Sequence, residues 1–249
     1  VDYNIAQGGK YESKWVGTQE SITKLMLPYL DCDKITELKQ PLFADKKEDV
    51  AYLKSTINLL EKGGCEKTDF YYALSEQLYK LEPNATAALS LAKASKTRGE
   101  ISKSLGYYGK ATAELEGDDL YNAYIQMSAL SIRNGSNADG RTYARKALEI
   151  KENSGEAYIL IGDAYASSVS SCGGSALKGR EVFWAAVDKY AKARSVDPTV
   201  EEKATERINK YSGYFPDKET AFFEGITDGQ SYTIGCWIGE TTVVRTISN

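Results

Sequence analysis

Residues 155–198 limit what this chain can fold into more than any other stretch. They read GEAYILIGDAYAS, then an insertion over residues 169–181, then FWAAVDKYAKARSVDP. With the insertion set aside, one helix–turn–helix unit of roughly 34 residues remains, a length typical of stacked helical repeats. Tyr158, Ile161, Gly162 and Tyr165 fall at the core positions of the first helix. Ala186, Tyr190 and Ala193 fall at those of the second, and Pro198 stops the unit. Large residues three and four apart make one apolar stripe per helix. Small residues (Gly162, Ala186, Ala193) sit where two helices must approach closely, and a proline cannot extend a helix inward. The pattern predicts a helical hairpin that stacks on neighbours of its own kind.

The same phase recurs upstream. Residues 84–113 place Ala88, Leu91, Ala92 and Ser95 on a first helix and Ser104, Tyr108 and Ala111 on a second. Asp119 reads as the cap of the next unit. That unit carries Tyr124, Met127, Ser128 and Ser131, then a turn at Asn134-Gly135-Ser136, then Gly140, Ala144 and Ala147. Residues 32–83 read as further hairpins, with Val50, Leu53, Ile57 and Leu60 as one stripe and a helix from Phe70 to Leu81. Residues 1–31 are expected to be a helical remnant: a turn at Gly8-Gly9, then a helix from Thr18 to Tyr29 whose last turn holds Pro28. The insertion is rich in Ser and Gly and reads as a loop. Asn84-Ala85-Thr86 and Asn134-Gly135-Ser136 fit the N-glycosylation pattern but read as turn chemistry.

After Pro198 the chain is expected to close with a helix over residues 199–211 and then to change period. SYTIGCWIGETTVVRTI alternates, and Ile238-Gly239-Glu240-Thr241 reads as a two-residue Gly-X hairpin turn. Pairing across that turn collects Tyr232, Ile234, Cys236, Ile238, Val243 and Ile247 on one face. A lone hairpin is unstable in water, so this face must pack on the helices. Residues 199–249 are thus a capping helix plus a β-hairpin. The four cysteines show no metal-ligand spacing. Four cysteines allow three pairings, with free thiols in a reducing compartment as the other reading. Cys32 and Cys65 both lie at helix ends flanking one hairpin, which suits a staple. Cys236 on the inward strand face points to Cys172 in the insertion.

Composition removes several functions. The chain has 249 residues, no histidine and a net charge of −4. Without histidine there is no Ser-His-Asp or Cys-His nucleophile system and no His-containing zinc site. The acidic balance argues against a duplex nucleic-acid binder. No run reaches the roughly 18–20 apolar residues that a membrane span needs. The start at Val1, with neither Met nor a basic-then-apolar leader, fits a processed or a trimmed end, from which the original targeting cannot be read. No phosphate-binding glycine motif, HExxH or EF-hand loop occurs. No cofactor, metal or catalytic residue is expected, and oligomeric state cannot be read.

The run YILIGDAYASS…SCG…FWAAVDKYAKARSVDP, followed by INKYSGYFPDKETAFFEGITDGQSYTIGCWIGETTVVRT, resembles the C-terminal portion of a tetratricopeptide (TPR) repeat envelope family of Bacteroidetes. LLEKGGCEKTDFYYALSEQLYKLEPNATAALSLAKA is similar to the middle of the same family. The resemblance implies a periplasmic or outer-membrane-associated helical-repeat protein of unsettled function, with further repeats preceding this portion. The fold class expected is all-α: a TPR-like antiparallel helix-hairpin solenoid with a small C-terminal β-hairpin cap. Such a solenoid binds through the concave surface lined by its first helices. Counted from the repeat starts, that surface shows Lys93, Lys96 and Thr97, then Asn122, Ile125, Ala129 and Arg133, then Glu156, Ile159 and Asp163. Lys93, Lys96 and Arg133 would make a weak carboxylate clamp, with Asn122 donating to a peptide backbone. The expected function is a non-catalytic protein–protein interaction scaffold in the bacterial envelope, binding a peptide or protein partner. The alternative is a glycan- or small-ligand-binding protein whose groove tyrosines, among eighteen in the chain, form a stacking platform.

Overall fold

A computed structural model describes residues 9–26, 29–173 and 177–247. Gly8, Pro28 and residues 174–176 of the insertion, all used in the reading above, lie outside the described residues. The chain forms two compact units, Val1–Leu115 and Glu116–Asn249, a division that falls inside the segment expected over residues 84–198.

The first unit holds α1 (Glu12–Met26), α2 (Cys32–Lys46), α3 (Val50–Lys62), α4 (Asp69–Leu81), α5 (Ala85–Thr97) and α6 (Ile101–Ala111). The helix starts follow side-chain caps. Asp49 accepts from the Tyr52 amide, Thr68 from that of Tyr71 and Asn84 from that of Ala87. Asn84, the first residue of one glycosylation pattern, is therefore a helix cap. Ile35, Leu53, Leu60, Tyr71, Leu74 and Leu78 fill this unit's core. Cys32 and Cys65 form a disulfide beside it, with Cα atoms 5.4 Å apart. α1 starts at Glu12 rather than Thr18, and Trp15, Ile22 and Leu25 on it are exposed.

The second unit holds α7 (Gly117–Arg133), α8 (Asn137–Ile150), α9 (Gly155–Ala166), α10 (Val182–Val196), a 3-10 turn (Pro198–Val200), α11 (Glu201–Ser212), α12 (Lys218–Phe223), β1 (Ser231–Thr233) and β2 (Thr241–Val243). Asp119 is not the cap of α7. The helix begins earlier, so Asp118 and Asp119 lie in its first turn, where carboxylates favour the free amides. α9 and α10 make the helical hairpin expected over residues 155–198. Gly162 lets them close: a Cβ there would lie 2.5 Å from the Tyr190 ring. Tyr165, Trp184 and Tyr190 are buried around that contact.

The β-hairpin departs from the expected turn. Ser231 pairs with Val243 and Thr233 with Thr241, so residues 234–240 form a longer loop in place of a two-residue turn. Cys236 and Gly239 adopt left-handed backbone, with φ of 61° and 63°. This bends the loop so that Ile234 and Ile238 both enter the core. The register consequently slips along the second strand. Val243, expected to face inward, is 42% exposed, while Thr242 and Val244 are buried. Cys172 and Cys236 form the second disulfide, with Cα atoms 5.6 Å apart.

Candidate functional site

In each unit the first helices of successive pairs carry the expected partner-facing residues, and the structure treats those residues unequally. In the first unit Lys93 on α5 reaches across to α3, its Nζ 3.0 Å from Glu61 Oε1. The Tyr71 hydroxyl of α4 donates to the same oxygen at 2.6 Å. Burial first, then the Glu61 charge, pushes the Tyr71 phenol far above its usual range. Thr97, one residue past Lys96, donates to the Glu66 carbonyl at 2.9 Å. Lys96 itself is half-buried. This edge of α5 is thus engaged in tying helices together.

In the second unit Asn122, Ala129 and Arg133 are exposed along one stripe of α7, and Glu156 is exposed in the first turn of α9. A hydrogen bond of 2.7 Å between the Tyr121 hydroxyl and Ser154 Oγ joins the beginnings of those two helices. Ile125 does not belong to that stripe. At 3.6 residues per turn it is rotated about 60° from Asn122, whereas Ala129 and Arg133 are within about 20°. That rotation carries Ile125 into the core, where it is 5% exposed. Ile159 is buried for the same reason on α9. Asp163 is occupied: it accepts from Arg207 Nε at 2.7 Å and Nη2 at 3.1 Å, and from the Tyr190 hydroxyl at 2.8 Å. The carboxylate knits α9, α10 and α11 and raises the basicity of Arg207.

Two features escaped the sequence reading. The first is the set of groups holding the hairpin. Glu240 meets Lys189 Nζ at 2.6 Å and Arg145 Nη2 at 3.0 Å, and it accepts from the Tyr165 hydroxyl. Burial opposes the charge on Glu240, but hydrogen bonds from Lys189 and Tyr165 and the cations of Lys189 and Arg145 outweigh it. The carboxyl is therefore held below its usual range. Arg141 donates to the Ile238 carbonyl at 2.8 Å and lies over the Trp237 ring at 4.7 Å. Asp188 takes Thr242 and Arg245. The i, i+4 spacing of Arg141 and Arg145 was the available signal, but their partners lie far along the chain. The second feature is an open cavity beside α4 in the first unit, lined by Glu76, Tyr79, Lys80 and Tyr107.

The half-buried carboxylates of Glu61, Asp163 and Glu240 are each held by at least one cation and a tyrosine hydroxyl, an arrangement that fixes helices. Among the described residues no group of three or more carboxylates or cysteines is placed to hold a metal ion. Of the repeat tyrosines, Tyr108, Tyr165 and Tyr190 are buried. Burial pushes Tyr108 up to about 12, with Glu61 adding to it. These rings fill cores and do not line a stacking platform.

No family model matches the chain, and no curated protein matches it. Solved structures do. One is described as the MamA protein, at a TM-score of 0.54 and 19% identity, covering 75% of this chain and 93% of that one. Another is YrrB, described as a TPR protein with an unusual peptide-binding site, at a TM-score of 0.44 and 19% identity, covering 75% of this chain and 97% of that one. The matches do not tie the chain to Bacteroidetes. The likeness to the MamA structure agrees with the internal register of the helix pairs: the fold is all-α, a TPR-like helix-hairpin solenoid with a small β cap.

Proposed function

We propose that this chain is a non-catalytic protein–protein interaction scaffold of the bacterial envelope, and that it takes a peptide or protein partner on the first-helix side of its second unit. The observation that carries this reading is the exposed stripe of α7, Asn122, Ala129 and Arg133, running beside exposed Glu156 of α9. An asparagine amide both donates to and accepts from an extended backbone, and an arginine takes a carboxylate in bidentate fashion. Ala129 between them keeps the approach low. Ile125 and Asp163 support this surface from beneath. In the first unit Lys93 is neutralised by Glu61 and stays outside this surface. Two disulfides favour an oxidising compartment, which in a bacterium lies outside the cytoplasm. Among the described residues no helix is long and apolar enough to cross a membrane.

The test is affinity capture from an envelope extract with the intact oxidised chain, compared with an Asn122→Ala, Arg133→Glu double variant. The reading expects a discrete polypeptide retained by the native chain and reduced about tenfold by the variant, the loss of one good polar anchor. Equal capture by both would place the binding surface elsewhere.

A further inference from the structure

The two disulfides sit in unlike surroundings. Cys32–Cys65 lies against the core of the first unit: Cys65 is 1% exposed, and its Sγ is partly buried beside the Gly63 carbonyl. Cys172–Cys236 joins the insertion to the loop over residues 234–240. Cys172 is buried, but Cys236 is exposed, with its Sγ on the outside, 3.9 Å from the Ser171 carbonyl. A thiolate attacks a disulfide at whichever sulfur it can reach, so the second bridge is the one open to exchange. Cys236 also holds left-handed backbone, with φ of 61°, which a residue other than glycine keeps only where its surroundings enforce it.

The loop that Cys236 ties down covers charged groups. Arg141 of α8 donates to the Ile238 carbonyl and lies under the Trp237 ring. Arg145 of α8 and Lys189 of α10 share the Glu240 carboxylate, to which the Tyr165 hydroxyl also donates. The strands have a separate anchor. Asp188 holds Thr242 and Arg245, and Trp184 Nε1 donates to the Arg245 carbonyl at 2.8 Å. The loop can therefore leave while β1 and β2 stay paired. Its own balance is close. Ordering its backbone costs conformational entropy of the same order as the burial of Ile234 and Ile238 returns. The ion pairs add little, because Lys189 and Glu240 keep 25% and 21% of their side chains in solvent. The covalent tie, between residues 64 apart in sequence, decides the outcome.

We propose that the Cys172–Cys236 disulfide is a thiol-operated latch: its reduction by a dithiol frees the loop over residues 234–240 and lays bare the basic patch of Arg141, Arg145 and Lys189, while Cys32–Cys65 stays closed. One thiolate of the dithiol attacks Cys236 Sγ and forms a mixed disulfide there. The bond to Cys172 breaks, and Cys172 leaves with the electron pair and takes up a proton. The second thiol of the dithiol then attacks its own sulfur in the mixed disulfide and releases Cys236 as the other thiol. The dithiol departs as a disulfide, having supplied both electrons and both protons. Cys236 relaxes out of the left-handed region, and the loop follows it away from α8 and α10. The latch lies on second helices, so it is separate from the stripe on α7.

The test exposes the intact oxidised chain to graded dithiothreitol without denaturant, blocks free thiols with iodoacetamide and locates them by peptide mass spectrometry. Cys172 and Cys236 should be labelled at a dithiol concentration about tenfold below that needed for Cys32 and Cys65. At that concentration circular dichroism should keep its helical signal, and the Ile234 amide should exchange about tenfold faster. Lys189, freed from Glu240, should be acylated several-fold faster by an amine-reactive ester, with Lys93 of the first unit unchanged as the control. A Cys172→Ser, Cys236→Ser variant should show the fast Lys189 reaction without any dithiol and no further response to it. Reduction of both disulfides at one dithiol concentration overturns the proposal. So does selective reduction that leaves Ile234 exchange and Lys189 acylation as they were, which would make the bridge a passive staple. Loss of the helical signal together with selective reduction also overturns it, since the bridge would then hold the unit and not the loop alone.

Discussion

A glycine decides how closely α9 and α10 approach. Gly162 lies under the Tyr190 ring, and any side chain there drives into it, a Cβ falling 2.5 Å from the ring. Gly162→Ala is expected to cost about 1–3 kcal/mol through overpacking, read as a lower midpoint in urea unfolding. The same substitution at Gly106, where a Cβ meets nothing, should stabilise by about 0.5–1 kcal/mol, because alanine is the better helix former. Glu240 sets a pH response. Its folded-state value lies below the ordinary one of about 4.3. Its contribution is therefore fully present above the ordinary value and disappears as pH falls through the depressed one. Thermal midpoints measured against pH should show the native chain losing stability below about pH 4 more steeply than a Glu240→Gln variant.

The helical elements were legible because each announces itself in a local pattern of large and small residues. Tyr158, Ile161, Gly162 and Tyr165 fix the face of α9, and Ala186, Tyr190 and Ala193 fix that of α10, from spacing alone. The β cap was legible only in part. Its alternation marked strands, but the left-handed backbone at Cys236 leaves no trace in hydrophobic period, so the loop length and the inward place of Val243 were misread. α12 was missed because it is short, and Phe222 and Phe223 on it face solvent. Spacing turns Ile125 about 60° from Asn122 and keeps Asp163 within about 20° of Glu156, but it does not show which side chains elsewhere in the chain cover a face. No local pattern reports that Arg207, far along the chain, claims Asp163. The covalent tie of the cap is testable. Cys236→Ser should cost about 2–4 kcal/mol. Hydrogen exchange at the Ile234 and Val244 amides, which bond to Glu240 and Gln230, should accelerate in that variant while the amides of α3 and α4 remain unchanged.

At the scale of the whole molecule, stacked helix pairs bury their apolar sides on one another and leave the outer turns of first and second helices for other uses. Ion pairs such as Lys93 with Glu61 and Arg207 with Asp163 fix first helices to their neighbours. The positions they leave uncovered are the ones available to a partner. A photo-cross-linking residue placed at Ala129, at the centre of the α7 stripe, probes this directly, with exposed Glu149 on α8 as the control position. Irradiation of the intact oxidised chain in envelope extract should give one discrete polypeptide adduct from position 129, absent from position 149 and lost when Arg133→Glu is added. No polypeptide adduct from position 129, or the same adduct from both positions, would contradict a docking surface on the first helices of the second unit.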